Sequence, residues 1–358
     1  MPLDADLDAW LRLSLLPGLG PQSLRKLLVA HGSPANVLAA NPRDLRATVA
    51  EKIASAIHNG GADDDARAGV AQWLEDSANH VITLADAEYP RALLQIPDPP
   101  PLIYVKGRRD LLNRDSFAVV GSRNATAQGV NNAEAFSAAL SNAGLTIVSG
   151  LALGVDAAAH RGGLAGAGST IAVVGTGLDI VYPARNRALA HDIAERGALI
   201  SEFALGTPAL AANFPRRNRL ICGLSRGCLV VEAAVSSGSL ITARLAAEQG
   251  REVFAIPGSI HSPLAKGCHA LIKQGAKLVE SAQDVLEELG LVAPVTEPAE
   301  PLAEPQGLLA HIGHDPCDLE ALKQRSGMDT AAIIAALTAL ELDGFIESLP
   351  GGRWQRVR

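Results

Sequence analysis

Residues 117–121, FAVVG, begin a series of short apolar segments that decides the fold. The other members of the series are LTIVSG (145–150), TIAVVG (170–175), ALISEF (198–203), GCLVVEA (227–233), EVFAIPG (252–258) and KLVE (277–280). Segments of this length that are rich in β-branched residues and bounded by glycine are typical of strands buried on both faces. Each one predicts a strand, and LIYVKG (102–107) predicts an additional strand that extends the sheet.

Helical patterns lie between these strands, at residues 126–143, 154–166, 185–196, 238–250, 263–275 and 281–289. Alternation of strand and helix at this spacing predicts an α/β fold, a Rossmann-like parallel sheet with helices on both faces. Such sheets bind ligands beyond the carboxyl ends of their strands. We therefore expect the function in the loops that follow the strands.

The sequence on either side of this core predicts two smaller helical modules. Residues 1–80 have the pattern of short amphipathic helices, and LSLLPGLGPQSLRKLL (13–28) resembles a helix-hairpin-helix of the kind found in SAM-like modules. The segment APVTEPAEPLAEPQ (293–306), rich in proline and glutamate, predicts a stiff, solvated linker. The predicted division is therefore 1–80, 81–292, 293–306 and 307–358.

The last module, residues 307–358, resembles a winged helix. Helical patterns at 307–312, 318–326 and 329–343 precede a hairpin-like segment, FIESLPGGRWQRV. The third helix contains no Lys or Arg, so contact through Arg353 and Arg356 of the wing, or a protein-binding surface, is favoured over DNA reading by that helix.

Composition limits the classes of protein that fit. The 358 residues carry 31 Lys and Arg against 38 Asp and Glu, a net charge of −7, which excludes a uniformly basic surface but not a local basic patch. The four cysteines form no C-x-x-C pair, so neither a structural metal site nor a disulfide framework is predicted, and no cofactor motif is present. The acidic N-terminus and the lack of a long apolar run favour a cytoplasmic protein without a membrane span.

The loop after the first core strand reads Gly121-Ser122-Arg123. Glycine allows close backbone approach, serine offers a hydroxyl, and arginine has a fork suited to phosphate. The following helix start also favours an anion. Either a phosphate contact or a tight turn with a solvated arginine satisfies this pattern.

The strongest local signal lies in residues 203–231, which contain no Asp or Glu and four arginines, a local charge of +4. Phe214 stands at the head of FPRRNRLICGLS, and the arginines are 216, 217, 219 and 226. Arginines can neutralise the backbone of a single strand while an aromatic ring stacks on a base. The alternative is that Phe214 fills the core and some arginines pair with Glu202 and Glu232.

Two other loops offer weaker candidates. Ser236, Gly238 and Ser239 precede or begin a predicted helix, where free amides and hydroxyls can bind an anion or where a serine simply caps the helix. Asp156 and His160, four residues apart, predict either an internal hydrogen-bonded pair or an acid–base pair, with too few ligands for a metal.

The motifs VGSRNAT, SGLALGVDAAAHRGGL, VVGTGLDIVYPARN, ISEFALGTPALAANFPRRNRLICGLS, VVEAAVSSGSLITA and IPGSIHSPLAKGCHALIKQGAKLV resemble those of the DprA/Smf family of DNA-processing proteins, densely and in order over about residues 85–290. The resemblance implies a non-enzymatic protein of natural transformation. It would bind and protect incoming single-stranded DNA and load the RecA recombinase onto it, usually as a homodimer, here through the Rossmann-like domain.

Residue by residue, Gly121, Ser122 and Arg123 match the family's phosphate-contacting turn, and the F-P-x-R-N motif is matched at Phe214, Pro215, Arg217 and Asn218. Arg185 stands close to where many members have a lysine. The predicted DNA contacts are Gly121, Ser122, Arg123, Arg185, Phe214, Arg216, Arg217, Asn218, Arg219, Ser236, Gly238 and Ser239.

An enzymatic alternative is a nucleotide phosphoribohydrolase of the "lonely guy" type, which is also Rossmann-like. Glu232, followed by a Gly, Ser and Thr-rich helix start, supports it. The P-G-G-x-G-T-x-x-E signature of that group is absent from this chain.

Overall fold

The computed structural model describes residues 3–62, 64–291 and 306–357. The N-terminal module packs its helices around a small core that includes Leu13, Leu24, Leu27 and Ile57. Its helices are α1 (Ala5–Ser14), α2 (Pro21–His31), α3 (Pro34–Ala39), α4 (Pro42–Leu45), α5 (Glu51–His58) and α6 (Asp64–Trp73). The predicted glycine turn lies between α1 and α2, where Gly18 and Gly20 line a groove shared with Pro100 and Phe203 of the next unit. The turn therefore lies beside the Rossmann-like unit, with both glycines exposed.

The central sheet has nine strands among the described residues. They are β1 (Asn79–Thr83), β2 (Leu102–Gly107), β3 (Ser116–Val120), β4 (Thr146–Ser149), β5 (Thr170–Val173), β6 (Ala198–Ser201), β7 (Gly227–Val230), β8 (Glu252–Ala255) and β9 (Lys277–Leu278). Their order is β1-β2-β6-β5-β4-β3-β7-β8-β9. In this sheet order, all strands from β6 through β3 to β9 are parallel. Strands β1 and β2 extend the sheet beyond β6 in antiparallel pairing. The predicted Rossmann-like core and its additional strand at 102–107 are confirmed.

Helices cover both faces because successive side chains of each strand point to opposite sides. They are α7 (Ala127–Asn142), α8 (Val155–Ala165), α9 (Arg187–Arg196), α10 (Asn213–Leu224), α11 (Gly238–Glu248), α12 (Lys266–Lys273) and α13 (Ala282–Glu288). Phe117 and Val119 of β3 pack with residues of α7, α8 and α13. Ala118 and Val120 of the same strand pack with α10, α11 and α12.

Helix α10 corrects the expectation that the arginines before the strand at 227–233 lie in a loop with a basic surface. The segment turns helical because Leu220, Ile221 and Leu224 form one apolar face, which is buried against the sheet. A helix distributes its side chains around its axis, so neighbouring arginines in the sequence point in different directions.

The C-terminal unit is a winged helix, as predicted. It contains β10 (Cys317–Asp318), α14 (Leu319–Ser326), α15 (Thr330–Leu342), β11 (Ile346–Leu349) and β12 (Arg353–Arg356), with strand order β10-β12-β11. The hairpin turns at Gly351 and Gly352, both with positive φ, which favours glycine. The predicted helix at 307–312 is a 3-10 turn over Gly307–His311. The predicted linker at 293–306 lies outside the described residues except for Gln306.

No helix within the described ranges is both long enough and apolar enough to cross a membrane.

Candidate nucleic-acid interface

A pocket of about 400 Å³ opens at the carboxyl ends of β3 and β7. The chain adds β4, β5 and β6 on one side of β3, and then β7, β8 and β9 on the other side. The switch point of the sheet therefore lies between β3 and β7. Ligands of open α/β sheets bind at such a switch point. Nine predicted contact residues line the pocket, namely Gly121, Ser122, Arg123, Phe214, Arg217, Asn218, Ser236, Gly238 and Ser239.

The turn after β3 forms one wall. Ser122 is buried, and its Oγ accepts a hydrogen bond from the amide of Asn124 at 3.1 Å, which fixes the turn. A Cβ on Gly121 would lie 2.6 Å from the side chain of Val155, so the close approach of β3 to α8 requires glycine. Arg123 is exposed and lines the pocket, and within the described ranges no carboxylate forms an ion pair with it. Its charge is therefore available to a ligand.

Arg217 lies at the base of the pocket, on the inner face of α10, and only 4% of it is exposed. Its Nη1 donates to the carbonyl of Gly150 at 2.7 Å and to that of Val173. These carbonyls follow β4 and end β5, so one side chain holds α10 to two strand ends. Burial lowers the pKa of Arg217 to about 10, while the Asp156 carboxylate raises it, so the guanidinium stays charged at neutral pH.

Phe214 forms the opposite wall, and the ring of Tyr182 packs against it outside the pocket lining. The Phe214 ring lies 5.6 Å from that of Tyr182, with an interplanar angle of 44°. The guanidinium carbons of Arg123 and Arg217 each lie 6.0 Å from the centroid of the Phe214 ring. Tyr182 is 50% exposed. Tyr182 is not among the predicted contacts, although an aromatic residue in a loop after a core strand is a signal that could have identified it.

Arg216 and Arg219 lie outside the pocket lining and both pair with Glu202, with N to O distances of 2.9 and 2.6 Å; Arg219, only 11% exposed, also pairs with Asp98. The Glu202 side chain is only 2% exposed. Burial raises the pKa of Glu202, while Arg219 and Arg216 oppose that effect. Neither arginine lines the pocket, in line with the alternative that some arginines of this stretch pair with Glu202.

Arg226 and Arg185 also lie outside the pocket. Arg226 forms an ion pair with Asp115 at 3.1 Å, and its backbone amide donates to the carbonyl of Ser116. It therefore lies at the amino edge of the sheet, opposite the pocket. Arg185 is exposed in a 3-10 turn after β5 and does not line the pocket. The four arginines of the 203–231 stretch, which looked like one patch in sequence, thus do not form a continuous basic path.

The loop after β7 forms the third side of the pocket. The N-cap of α11 is Ser237, whose Oγ accepts from the amide of Ser239 at 3.3 Å. The expected caps, Ser236 or Ser239, are therefore wrong by one or two positions. Ser236 and Gly238 are exposed at the pocket, next to the first amides of an 11-residue helix.

Asp156 and His160 form a buried network behind the pocket. Nε2 of His160 accepts from the amide of Leu151 at 3.3 Å, and Nδ1 lies 2.7 Å from Oγ1 of Thr170. Burial, with a smaller effect from Arg217, lowers the pKa of His160 to about 3. The predicted hydrogen bond between Asp156 and His160 is therefore wrong, because Asp156 accepts from the amides of Gly150 and Ala152 instead. Across the described residues, no cluster of His, Cys, Asp and Glu has the geometry of a metal site.

Glu232 caps the start of α7. Its two carboxylate oxygens accept from the amide of Thr126 at 3.0 Å and from the Thr126 hydroxyl at 2.6 Å. A Cβ on Gly129 would lie 2.4 Å from this carboxyl carbon, so the helix approaches it closely. Glu232 thereby connects the loop after β7 to the helix after β3.

Comparison with known proteins agrees with this architecture. Residues 80–290 match the family described as DNA recombination-mediator protein A, and residues 292–352 match the DprA winged helix domain. Protein Smf of Escherichia coli is 44% identical over 292 residues, which cover 78% of each chain. The DNA processing protein DprA of Streptococcus pneumoniae is 50% identical over 206 residues, covering 58% of this chain and 73% of the relative.

Solved structures show the same fold. The crystal structure of Streptococcus pneumoniae DprA superposes with a TM-score of 0.69 at 40% identity, covering 80% of this chain and 99% of that chain. DprA of Helicobacter pylori, studied for its single-stranded DNA binding mode, superposes with a TM-score of 0.54 at 30% identity, covering 59% and 95%. The chain belongs to the DNA recombination-mediator protein A (DprA/Smf) family.

Proposed function

We propose that this protein binds single-stranded DNA in the pocket at the carboxyl edge of the sheet. The observation that carries the proposal is that Phe214 and Arg123, which has no ion pair among the described residues, line one pocket, with the exposed ring of Tyr182 packed against Phe214. Stacking of a base on an aromatic ring contributes about 1–3 kcal/mol and tolerates any base. An unpaired arginine beside the rings meets the adjacent phosphate.

In the cell, the bound strand would be protected and passed to the RecA recombinase during natural transformation, with the protein acting in the cytoplasm as a homodimer through its Rossmann-like domain and without catalysis. Membership of the recombination-mediator family supports this role. The single-stranded DNA binding mode of the Helicobacter pylori relative supports the choice of ligand.

The experiment is fluorescence anisotropy of a labelled single-stranded oligonucleotide at several salt concentrations. Arg123→Ala should weaken binding to all sequences alike and reduce the salt slope by about 0.7, the value for one phosphate on a single strand. Phe214→Ala should lose the stacking of about one base while the slope stays unchanged.

The matched control is Arg226→Ala, which removes an arginine of the same sequence stretch from the opposite edge of the sheet. Its binding curve should match that of the unmodified protein. Equal affinity of the Arg123→Ala and Phe214→Ala variants with the unmodified protein would reject the pocket as the binding site.

A further inference from the structure

The winged helix packs its hairpin against the first turns of α7. Nε2 of Gln355 on β12 donates to Oε1 of Gln128 at 3.0 Å, and Nδ2 of Asn131 donates to the carbonyl of Val357 at 2.9 Å. The Gln355 side chain is buried, with 7% exposure. Both partners on the Rossmann-like side therefore belong to the first five residues of α7.

A carboxylate of the winged helix also reaches the start of this helix. Burial raises the pKa of Glu347 on β11, as does the charge of Glu232, while a hydrogen bond from the Ala127 amide lowers it. The Oε1 atom of Glu347 is buried. First-turn amides of a helix attract negative charge, and here the winged helix supplies that charge.

The same helix start adjoins the strand-binding pocket. Its N-cap, Thr126, lies three residues beyond Arg123 and is held by Glu232, which follows β7. A cavity of about 670 Å³ lies next to it, between the loop after β8 and the wing, and is lined by Ser259, His261, His314 and Arg353 among others. Because β7 lies between β3 and β8, this cavity continues the carboxyl edge on the β8 side of the pocket.

We propose that the docked wing is an autoinhibitory contact, which limits how far a single strand can extend along the carboxyl edge of the sheet. The proposal rests on the function proposed above. A DNA strand that passes the loop after β7 meets β11 and β12 of the wing. Its phosphates meet the Glu347 carboxylate, which already accepts a hydrogen bond from the Ala127 amide. A strand short enough to fill only the pocket leaves the wing in place, whereas a longer strand displaces it.

The wing is held to α7 by hydrogen bonds such as those of Gln355 and Asn131, and interfaces between domains of one chain commonly open and close. Docking and binding of a long strand must oppose each other reciprocally, because each changes the affinity of the other by the same factor. Locking the wing should therefore weaken binding, and loosening it should strengthen binding.

The locking test uses the full chain with Gln128→Cys and Gln355→Cys, bridged by a bismaleimide that carries a cleavable disulfide. The four native cysteines are all buried, whereas the new thiol at position 355, which lies in the contact itself, becomes accessible when the wing opens. Binding of an oligonucleotide of about 16 nucleotides, the upper site size of a single-strand binding module, should be about tenfold weaker in the bridged protein and recover on cleavage. The same variant with both thiols capped by a monofunctional maleimide controls for the added groups.

The loosening test is Asn131→Ala, which removes one wing contact outside the pocket lining. We expect about threefold tighter binding of the long oligonucleotide, since part of the opposing contact is lost. Asn142→Ala, at the other end of the same helix, is the matched control and should bind like the unmodified protein.

Equal affinity of the bridged and cleaved proteins, or weaker binding by Asn131→Ala, would overturn the proposal, because the wing would then be neutral or a direct DNA contact. If the unmodified protein bound no single-stranded DNA, the proposed function itself would fail, and that result is seen before any bridging.

Discussion

The turn after β3 and helix α10 meet at one pocket, yet their arginines have opposite surroundings. Arg123 on the turn is exposed and carries no ion pair within the described ranges, whereas Arg217 on the helix is buried against two strand-end carbonyls. In the sequence both are arginines of family motifs that predict DNA contact. In the proposed site, Arg123 binds the ligand, whereas Arg217 shapes the pocket.

The largest effect is expected for Arg217→Ala, on the buried side of this contrast. It leaves the carbonyls of Gly150 and Val173 and the Asp156 carboxylate without their cation, and breaking a buried charged group of this kind costs about 3–5 kcal/mol. Urea unfolding followed by circular dichroism measures the change. A stable Arg217→Ala protein that merely loses salt-dependent affinity would instead identify Arg217 as a direct phosphate ligand.

Lowering the pH should have the next largest effect on stability, because it protonates the buried His160 only when the protein unfolds. The His160 pKa is lowered to about 3 in the folded protein, so the unfolded chain, with its ordinary value of 6.5, binds the proton first. Stability is therefore full above about pH 6.5 and falls as the pH decreases, by up to about 1.4 kcal/mol per pH unit.

The measurement is urea unfolding between about pH 5 and 6.5, above the range in which ordinary carboxylates titrate. His160→Gln should flatten this slope, whereas His191→Gln, at an exposed position on α9, should keep it. An unmodified protein with no loss of stability across this window would contradict the neutral, buried imidazole.

A smaller effect is expected for the ion pairs that connect α10 to Glu202. Glu202→Gln keeps the shape of the side chain but removes the charge shared by Arg216 and Arg219, and a hydrogen bond to a charged group contributes about 1.5–3 kcal/mol. Because Arg216 is 42% exposed, the loss should lie at the lower end of that range. Thermal unfolding detects it, and Glu134→Gln, whose partner Arg161 is similarly exposed, should change stability by less.

The smallest stability effect belongs to Arg123. Replacement by Ala should change the free energy of unfolding by less than about 0.5 kcal/mol, as at other exposed surface positions. The same protein should show the reduced salt slope described above. A large loss of stability in Arg123→Ala would remove the distinction between the two arginines.

Much of the fold was readable because strand and helix periodicities are local. The segments at 117–121, 145–150 and 170–175 become strands of the parallel sheet, and the hairpin around Gly351-Gly352 forms as expected. The failure at residues 203–231 has a physical cause. Charge counted along the chain assigns one environment to all four arginines, while a helix and a strand start place them in different environments.

Apolar periodicity and motif order are properties of the chain, and they suffice to establish the Rossmann-like sheet, the winged helix and the family. Which charged groups remain available to a ligand depends instead on the folded structure. Glu202, at the end of β6, reaches Arg216 and Arg219 across 14 and 17 residues, Asp115 reaches Arg226 across 111 residues, and the wing reaches α7 across more than 220. Burial and long-range pairing set the role of each side chain, and neither is written in local sequence.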